Sequence, residues 1–144
     1  MSWTVATKAA MSSEPSTLPV RSGEDVVKVR QAVRSVAMDL GFSLVDQTKV
    51  ITAASELARN TLTYGGGGEC RIERLSEGPK RNGVRLTFED RGPGIANVDL
   101  ALTDGYTTGN GLGLGLNGAR KLSHEFDIWS QPGVGTRVTI TRWK

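Results

Sequence analysis

Three groups of residues in this chain have the types and the spacing to handle a phosphorylated ligand. The most prominent lies in DGYTTGNGLGLGLNGARKLS, residues 104–123, where Gly109, Gly111, Gly113 and Gly115 alternate and then run into a segment of helical pattern. Glycine lets backbone N–H groups turn toward a ligand with no Cβ in the way. A helix N-terminus adds unpaired donors and a partial positive charge, so the combination predicts a cradle for an anion, phosphate above all. The second group is Glu56 and Asn60, one helical turn apart, a carboxylate and an amide on the same side of one helix. The third is Asp90-Arg91-Gly92-Pro93-Gly94-Ile95, a turn by composition. Its carboxylate, when ionised, can only accept hydrogen bonds.

Two widespread phosphate loops do not account for the glycines. Residues 113–118, GLGLNG, satisfy G-x-G-x-x-G, but that fingerprint needs a strand directly before it and an acidic residue ~20 positions on. The preceding DGYTTGN is no strand. The pattern G-x-x-x-x-G-K-[ST] is absent altogether.

The elements that must position these groups follow from periodicity. Residues 1–16 read as a loose tail, and 17–144 as a single domain. Thr17 to Arg21 predicts a short strand that Pro19 confines to a sheet edge. Ser22 and Asp25 form a capping box with Asp in place of Glu, and Val26, Val29, Val33, Val36 and Leu40 then recur at spacings of three and four until Gly41. Ser43 caps a second helix, Leu44 to Tyr64, stopped by Gly65–Gly68. Its apolar stripe is Val50, Ile51, Ala54, Leu57, Ala58 and Leu62. Glu56 and Asn60 face away from that stripe, toward water or a ligand; the plainer alternative is a solvated Glu56–Arg59 pair. Cys70, Ile72 and Leu75 begin one strand, Val84, Leu86 and Phe88 alternate in the next, and two more follow at Glu125–Ser130 and Thr136–Trp143. Between them, Ala96 to Asn110 is a long irregular connection suited to a lid, and Leu116–Ser123 is the helix after the glycines.

Composition narrows the function classes. One cysteine, Cys70, and one histidine, His124, leave no material for a disulfide framework, a multi-cysteine metal site or a Ser-His-Asp triad. Cys70 alternates with Ile72 and reads as core. His124 ends a helix, where a protonated ring would favour the dipole, and reads as structural; Trp129 and Trp143 read as packed strand residues. A net charge of +3, with acids and bases intermixed, gives no basic stripe for nucleic acid. No apolar run approaches the roughly 18 residues of a membrane span, and the start lacks the apolar segment of a secretory signal. A cytoplasmic protein without nucleic-acid or membrane partners is expected.

Glu56-Leu57-Ala58-Arg59-Asn60, Asp90-x-Gly92-x-Gly94, Gly111-Leu112-Gly113-Leu114-Gly115 and Gly135-Thr136 resemble, in order, the motifs of the GHKL ATP-binding superfamily. The likeness covers Val20 to Trp143 and is strongest to the small bacterial serine/threonine kinases of the RsbT type, whose helix also reads S-E-L-A-R-N. It implies an α+β two-layer sandwich with a mixed, mostly antiparallel sheet. It implies Glu56 as general base for an attacking hydroxyl and Asn60 as the Mg²⁺ ligand. Asp90 would bind the adenine amino group, directly or with a water that Thr136 helps hold. The ATP-contacting set it implies is Asn60, Asp90, Gly92, Gly94, Ile95, Thr108, Gly109, Gly111, Leu112, Gly113, Leu114, Gly115 and Thr136, with Tyr106, Thr107 and Thr108 in the lid. The implied activity is ATP-dependent phosphorylation of a STAS-type anti-sigma-factor antagonist or stressosome scaffold in a partner-switching pathway, with a regulatory phosphatase or sigma factor as further partners. The alternatives are an anti-sigma factor or ATP-binding regulator that sequesters its partner, and a detached histidine-kinase catalytic domain. The chain carries neither the dimerisation and phosphohistidine helix pair of a complete histidine kinase nor a gyrase-like transducer segment.

Overall fold

Two serines start the two long helices. In a computed structural model, which describes residues 15–79, 81–103 and 112–144, helix α1 spans Gly23–Asp39 and helix α2 spans Leu44–Thr63. Ser22 Oγ accepts the Asp25 N–H at 3.2 Å, and Ser43 Oγ accepts the Asp46 N–H at 3.1 Å. Each bond satisfies one of the orphan donors of a first turn. Asp25 completes its box one residue further back than usual, accepting the Arg21 N–H at 2.9 Å. Past Leu40, Gly41 turns the chain at φ +82°, a value that favours glycine. Of the tail expected at 1–16, residues 1–14 lie outside the described residues, as do the lid positions Tyr106, Thr107 and Thr108, and Ser16 opens the first strand instead.

Five strands form one sheet: β1 Ser16–Val20, β2 Gly68–Ser76, β3 Asn82–Asp90, β4 Glu125–Gln131 and β5 Gly135–Trp143, in the order β1-β2-β3-β5-β4. Every pairing among the described residues is antiparallel, where a mixed sheet was expected. The connection from β3 to β4 skips one position, and β5 returns into the gap antiparallel to both neighbours. β1, with Pro19, lies at an edge. The Ala96–Asn110 stretch is not wholly irregular, because Asn97 caps a short helix α3, Val98–Ala101, by accepting the Leu100 N–H at 2.9 Å. Helix α4 spans Leu112–Lys121 and starts four residues before the predicted Leu116.

Strand parity decides what meets the helices. Cys70, Ile72, Leu86, Phe88, Val138 and Ile140 point to one face and join Val29 and Val33 of α1, Leu57 of α2, and Leu116 and Ala119 of α4 in a single core. That is the α+β two-layer arrangement, helices on one face of the sheet. Leu75 has the opposite parity and pairs with Trp143 in a small separate cluster. Trp129 is 40% exposed, under the Arg137 guanidinium at 5.5 Å, so it is not a packed residue. Burial pushes the Cys70 thiol up to about 12, which keeps it protonated and inert, as a core residue should be.

His124 corrects the expectation of a charged helix end. Its Nδ1 accepts the Trp143 N–H at 2.9 Å, which requires the neutral ring. Burial, and next the nearby Arg142, lower its pKa below the usual imidazole value. A histidine whose folded pKa is depressed contributes stability that is full above the unfolded pKa, near 6.5, and is lost as pH falls through it. His124→Gln keeps an acceptor for Trp143 but takes no proton. It should therefore show a flatter fall of Tm between about pH 7 and 5.5 than the parent protein. Superimposable Tm profiles would remove His124 as the cause.

Candidate active site

The site is assembled where β3 ends. Asp90 is half-buried, and its Oδ1 accepts the Gly92 N–H at 2.9 Å, an Asx-type turn. Burial raises its carboxyl above the usual range, while the backbone N–H groups of Gly92 and Thr136 pull it back down and Glu89 adds an upward push. Gly65, just past α2, lies so close that a Cβ there would run into the Asp90 carboxylate. Gly92 in turn rests on Gly65, with room for no side chain: a Cβ would sit 2.7 Å from the Gly65 Cα.

The turn after Asp90 is clamped onto the β4–β5 hairpin at three points. Gly94, at φ +75°, packs against the Gln131 carbonyl where a Cβ would collide. Pro93 O accepts the Gly133 N–H at 2.8 Å. The Ile95 N–H reaches Ser130 Oγ at 2.8 Å, and the same hydroxyl lies 2.8 Å from Thr136 Oγ1 and donates to Gly135 O at 3.1 Å. Ordering the turn leaves a crevice between α2 and the sheet. Its walls are Leu57, Thr61 and Tyr64 from α2 and its end, Phe88 and Val138 from the sheet, Ile95 from the turn and Leu116 from the Leu112–Lys121 helix. Asp90 and Thr136 supply polar groups, and Asn60 is also at its lining. Apolar walls with a few fixed polar groups suit a flat heteroaromatic ring.

Asn60 and Glu56 sit against the first turns of α4. A Cβ on Gly115 would stand 3.0 Å from Asn60 Nδ2, 3.1 Å from its Oδ1 and 3.3 Å from Glu56 Oε2. Glycine inside a helix costs about 1 kcal/mol relative to alanine, and a side chain here would press on the Asn60 and Glu56 groups. Gly113 and Gly115, with Leu112 and Leu114, thus belong to the helix and not to a loop before it. The first four N–H groups of a helix still lack intrahelical partners, so the anion-binding character moves with them. The Asn60 Nδ2 is buried with no hydrogen-bond partner among the described residues. Glu56 Oε1 accepts from Arg59 Nη1 at 3.0 Å, so the plain i,i+3 pair does form. With side chains 37% and 57% exposed, it contributes little to stability.

Of the residues singled out in the sequence, Asn60, Asp90, Gly94, Ile95 and Thr136 line one crevice. Gly92 lies behind it and Glu56 beside Gly115. Thr108, Gly109 and Gly111 lie outside the described residues. Sequence reasoning missed Gly65, whose role as a close approach was hidden behind its role as a helix stop. It also missed Leu57, Thr61 and Tyr64 as lining, although their i, i+4, i+7 spacing was a visible signal. Ser130 carried no signal at all.

The family model described as histidine kinase-, DNA gyrase B-, and HSP90-like ATPase matches residues 45–144. The chain is 40% identical over 131 residues to serine/threonine-protein kinase RsbT of Bacillus subtilis, covering 91% of this chain and 98% of that protein. It is 28% identical over 116 residues to the anti-sigma F factor of Clostridium kluyveri, covering 78% of this chain and 82% of the relative. Among solved structures, that of the RsbU and RsbW domains of Rv1364c from Mycobacterium tuberculosis superposes with a TM-score of 0.63 at 20% identity, over 92% of this chain and 33% of that one. The last match bears on the fold alone. With the family model spanning most of the chain and a relative matched almost end to end, this protein belongs to the histidine kinase-, DNA gyrase B- and HSP90-like ATPase family.

Proposed function

We propose that this protein is an ATP-dependent serine/threonine kinase. Its acceptor is a regulatory protein of the STAS type, an anti-sigma-factor antagonist or stressosome scaffold, in a cytoplasmic partner-switching pathway. The observation that carries the reading is the likeness to RsbT along nearly the full length of both chains, joined to the meeting of Glu56, Asn60 and Gly115. Among the described residues no helix is long and apolar enough to cross a membrane.

Each residue then has one task. Asp90 accepts from the adenine amino group, and Thr136 holds the same edge of the ring. Leu57, Tyr64, Phe88, Ile95 and Val138 exclude water from its faces. The first-turn N–H groups of α4 face the phosphates. Glu56 accepts the proton of the acceptor Ser or Thr hydroxyl as its oxygen bonds to the γ-phosphorus. The bond from that phosphorus to the β–γ bridging oxygen breaks, and ADP leaves. Arg59 steadies the carboxylate without occupying Oε2.

Magnesium is compatible with the residues present. Among the described residues no three His, Cys, Asp or Glu side chains cluster as a cage, but Mg²⁺ commonly needs only one or two protein oxygens beside the nucleotide phosphates. Asn60 Oδ1, facing the bare Cα of Gly115, is the atom that would hold such an ion, and the unpartnered Nδ2 can donate to a phosphate oxygen. When bound, the ion supplies charge neutralisation at the phosphates. Asn60→Ala should weaken nucleotide binding in magnesium by roughly tenfold or more and leave binding in EDTA nearly unchanged; equal losses in both would remove Asn60 as the ligand.

Incubation with γ-labelled MgATP and a bacterial extract tests the activity. The reading expects label on one regulatory protein, stable to acid as a phosphoserine or phosphothreonine ester is. Acid-labile label would point to a histidine-kinase catalytic domain instead. The similarity to anti-sigma F factors favours a second role, sequestering a sigma factor or activating a phosphatase. A stoichiometric unlabelled partner retained on the protein would support that role.

A further inference from the structure

The Ser130 hydroxyl has one proton and two lone pairs, and all three are spoken for. Its neighbours are the Ile95 N–H at 2.8 Å, the Gly135 carbonyl at 3.1 Å and Thr136 Oγ1 at 2.8 Å. An amide N–H only donates, so Ser130 accepts from Ile95. A carbonyl only accepts, and the Gly135 carbonyl is placed to take the one Ser130 proton. With that proton on Gly135, the contact with Thr136, in which either hydroxyl can donate, runs with Thr136 as donor. That consumes the single proton of the Thr136 hydroxyl and leaves lone pairs toward the crevice that Thr136 lines with Asp90. Asp90 is itself an acceptor when ionised, held by the N–H groups of Gly92 and Thr136.

The geometry points to Ser130 as a specificity-determining residue. By fixing the direction of the Thr136 proton, it leaves Asp90 and Thr136 both as acceptors, so a purine whose C6 amino group meets this pair is taken and one bearing a carbonyl there is refused. Ser130 touches no nucleotide; it acts through Thr136. The inference rests on the reading of this crevice as the nucleotide-base site. A 6-keto oxygen placed against Asp90 and Thr136 meets lone pairs on both, and a buried acceptor facing acceptors is strongly disfavoured. Removing the Ser130 hydroxyl frees the Thr136 proton to serve such an oxygen.

The experiment measures binding of MgATP and MgGTP by calorimetry to the full chain, to Ser130→Ala, to Ser130→Thr and to Ser130→Ala/Thr136→Val. The expected result is a preference for MgATP that narrows roughly tenfold in Ser130→Ala. Ser130→Thr, which keeps the hydroxyl, should restore it. The double variant, with no threonine proton to release, should bind MgGTP as poorly as the parent does. Ser130→Cys, whose thiol is a weak donor, should give a smaller narrowing and reads the ratio if the alanine variant does not fold. An unchanged ratio in Ser130→Ala and Ser130→Cys, or equal weakening of both nucleotides, overturns the role of Ser130 and leaves the base site standing. A parent protein that binds neither nucleotide overturns the base site itself.

Discussion

Glu56→Gln is expected to bind nucleotide within about threefold of the parent protein while transferring phosphate on the order of 10²–10³ more slowly. The substitution preserves size and an oxygen for the Arg59 guanidinium, which stands 3.0 Å from Oε1. It removes only the capacity to take a proton. At about 1.36 kcal/mol per tenfold, the loss corresponds to roughly 3–4 kcal/mol of transition-state stabilisation. Phosphoryl transfer depends mainly on positioning and charge, so a residual rate should persist. The measurement is the initial rate of label transfer from γ-labelled ATP to the acceptor, set beside a calorimetric Kd. Transfer within a few fold of the parent at unchanged affinity would show that Glu56 is not the base. A matching loss of affinity would show that Gly115 no longer seats against Glu56 and Asn60, and the role would then be architectural.

The second large effect belongs to Asp90. Asp90→Asn should weaken adenine-nucleotide binding by roughly 10- to 100-fold, the scale of a lost charge-assisted hydrogen bond. The nucleotide-free protein should melt no lower than the parent. Burial raises the Asp90 carboxyl in the folded state, so folding favours its protonated form. The stability cost is absent below the unfolded carboxyl pKa, near 3.9, and grows as pH rises through the folded value. The neutral amide avoids that cost. Binding should carry the same signature: affinity of the parent falls on acidification at a pH above that of an ordinary aspartate, and the variant gives a flat profile. A variant that binds ATP normally would detach Asp90 from the base.

Much of the frame was legible because it rests on local rules. Ser22 and Ser43 announced both long helices, since each hydroxyl satisfies a first-turn N–H of its own helix. The alternation of Val84, Leu86 and Phe88 gave the buried face of β3. Asp90, Gly92 and Gly94 stood out because a turn needs such residues. What was hidden depends on contacts distant in sequence. Ser130 binds Ile95 across 35 positions, and Gly65 meets Asp90 across 25. Neither side chain, nor the lack of one, has a periodicity to reveal it. The start of α4 was misplaced for a related reason. Glycine disfavours a helix locally, and only the approach of Gly115 to Asn60 and Glu56 shows why it is tolerated. His124 was read from the helix dipole, but the Trp143 N–H at its Nδ1 outweighs that influence.

The central claim is that the crevice between α2 and the sheet, with Asp90 and Asn60 at its lining, holds a magnesium-bound adenine nucleotide. Calorimetric titration of the purified protein with MgATP tests it without any knowledge of the acceptor. The account predicts saturable binding at one site, weakened by Asp90→Asn and dependent on magnesium through Asn60. No heat of association at millimolar MgATP, with the protein folded by its melting profile, would contradict it.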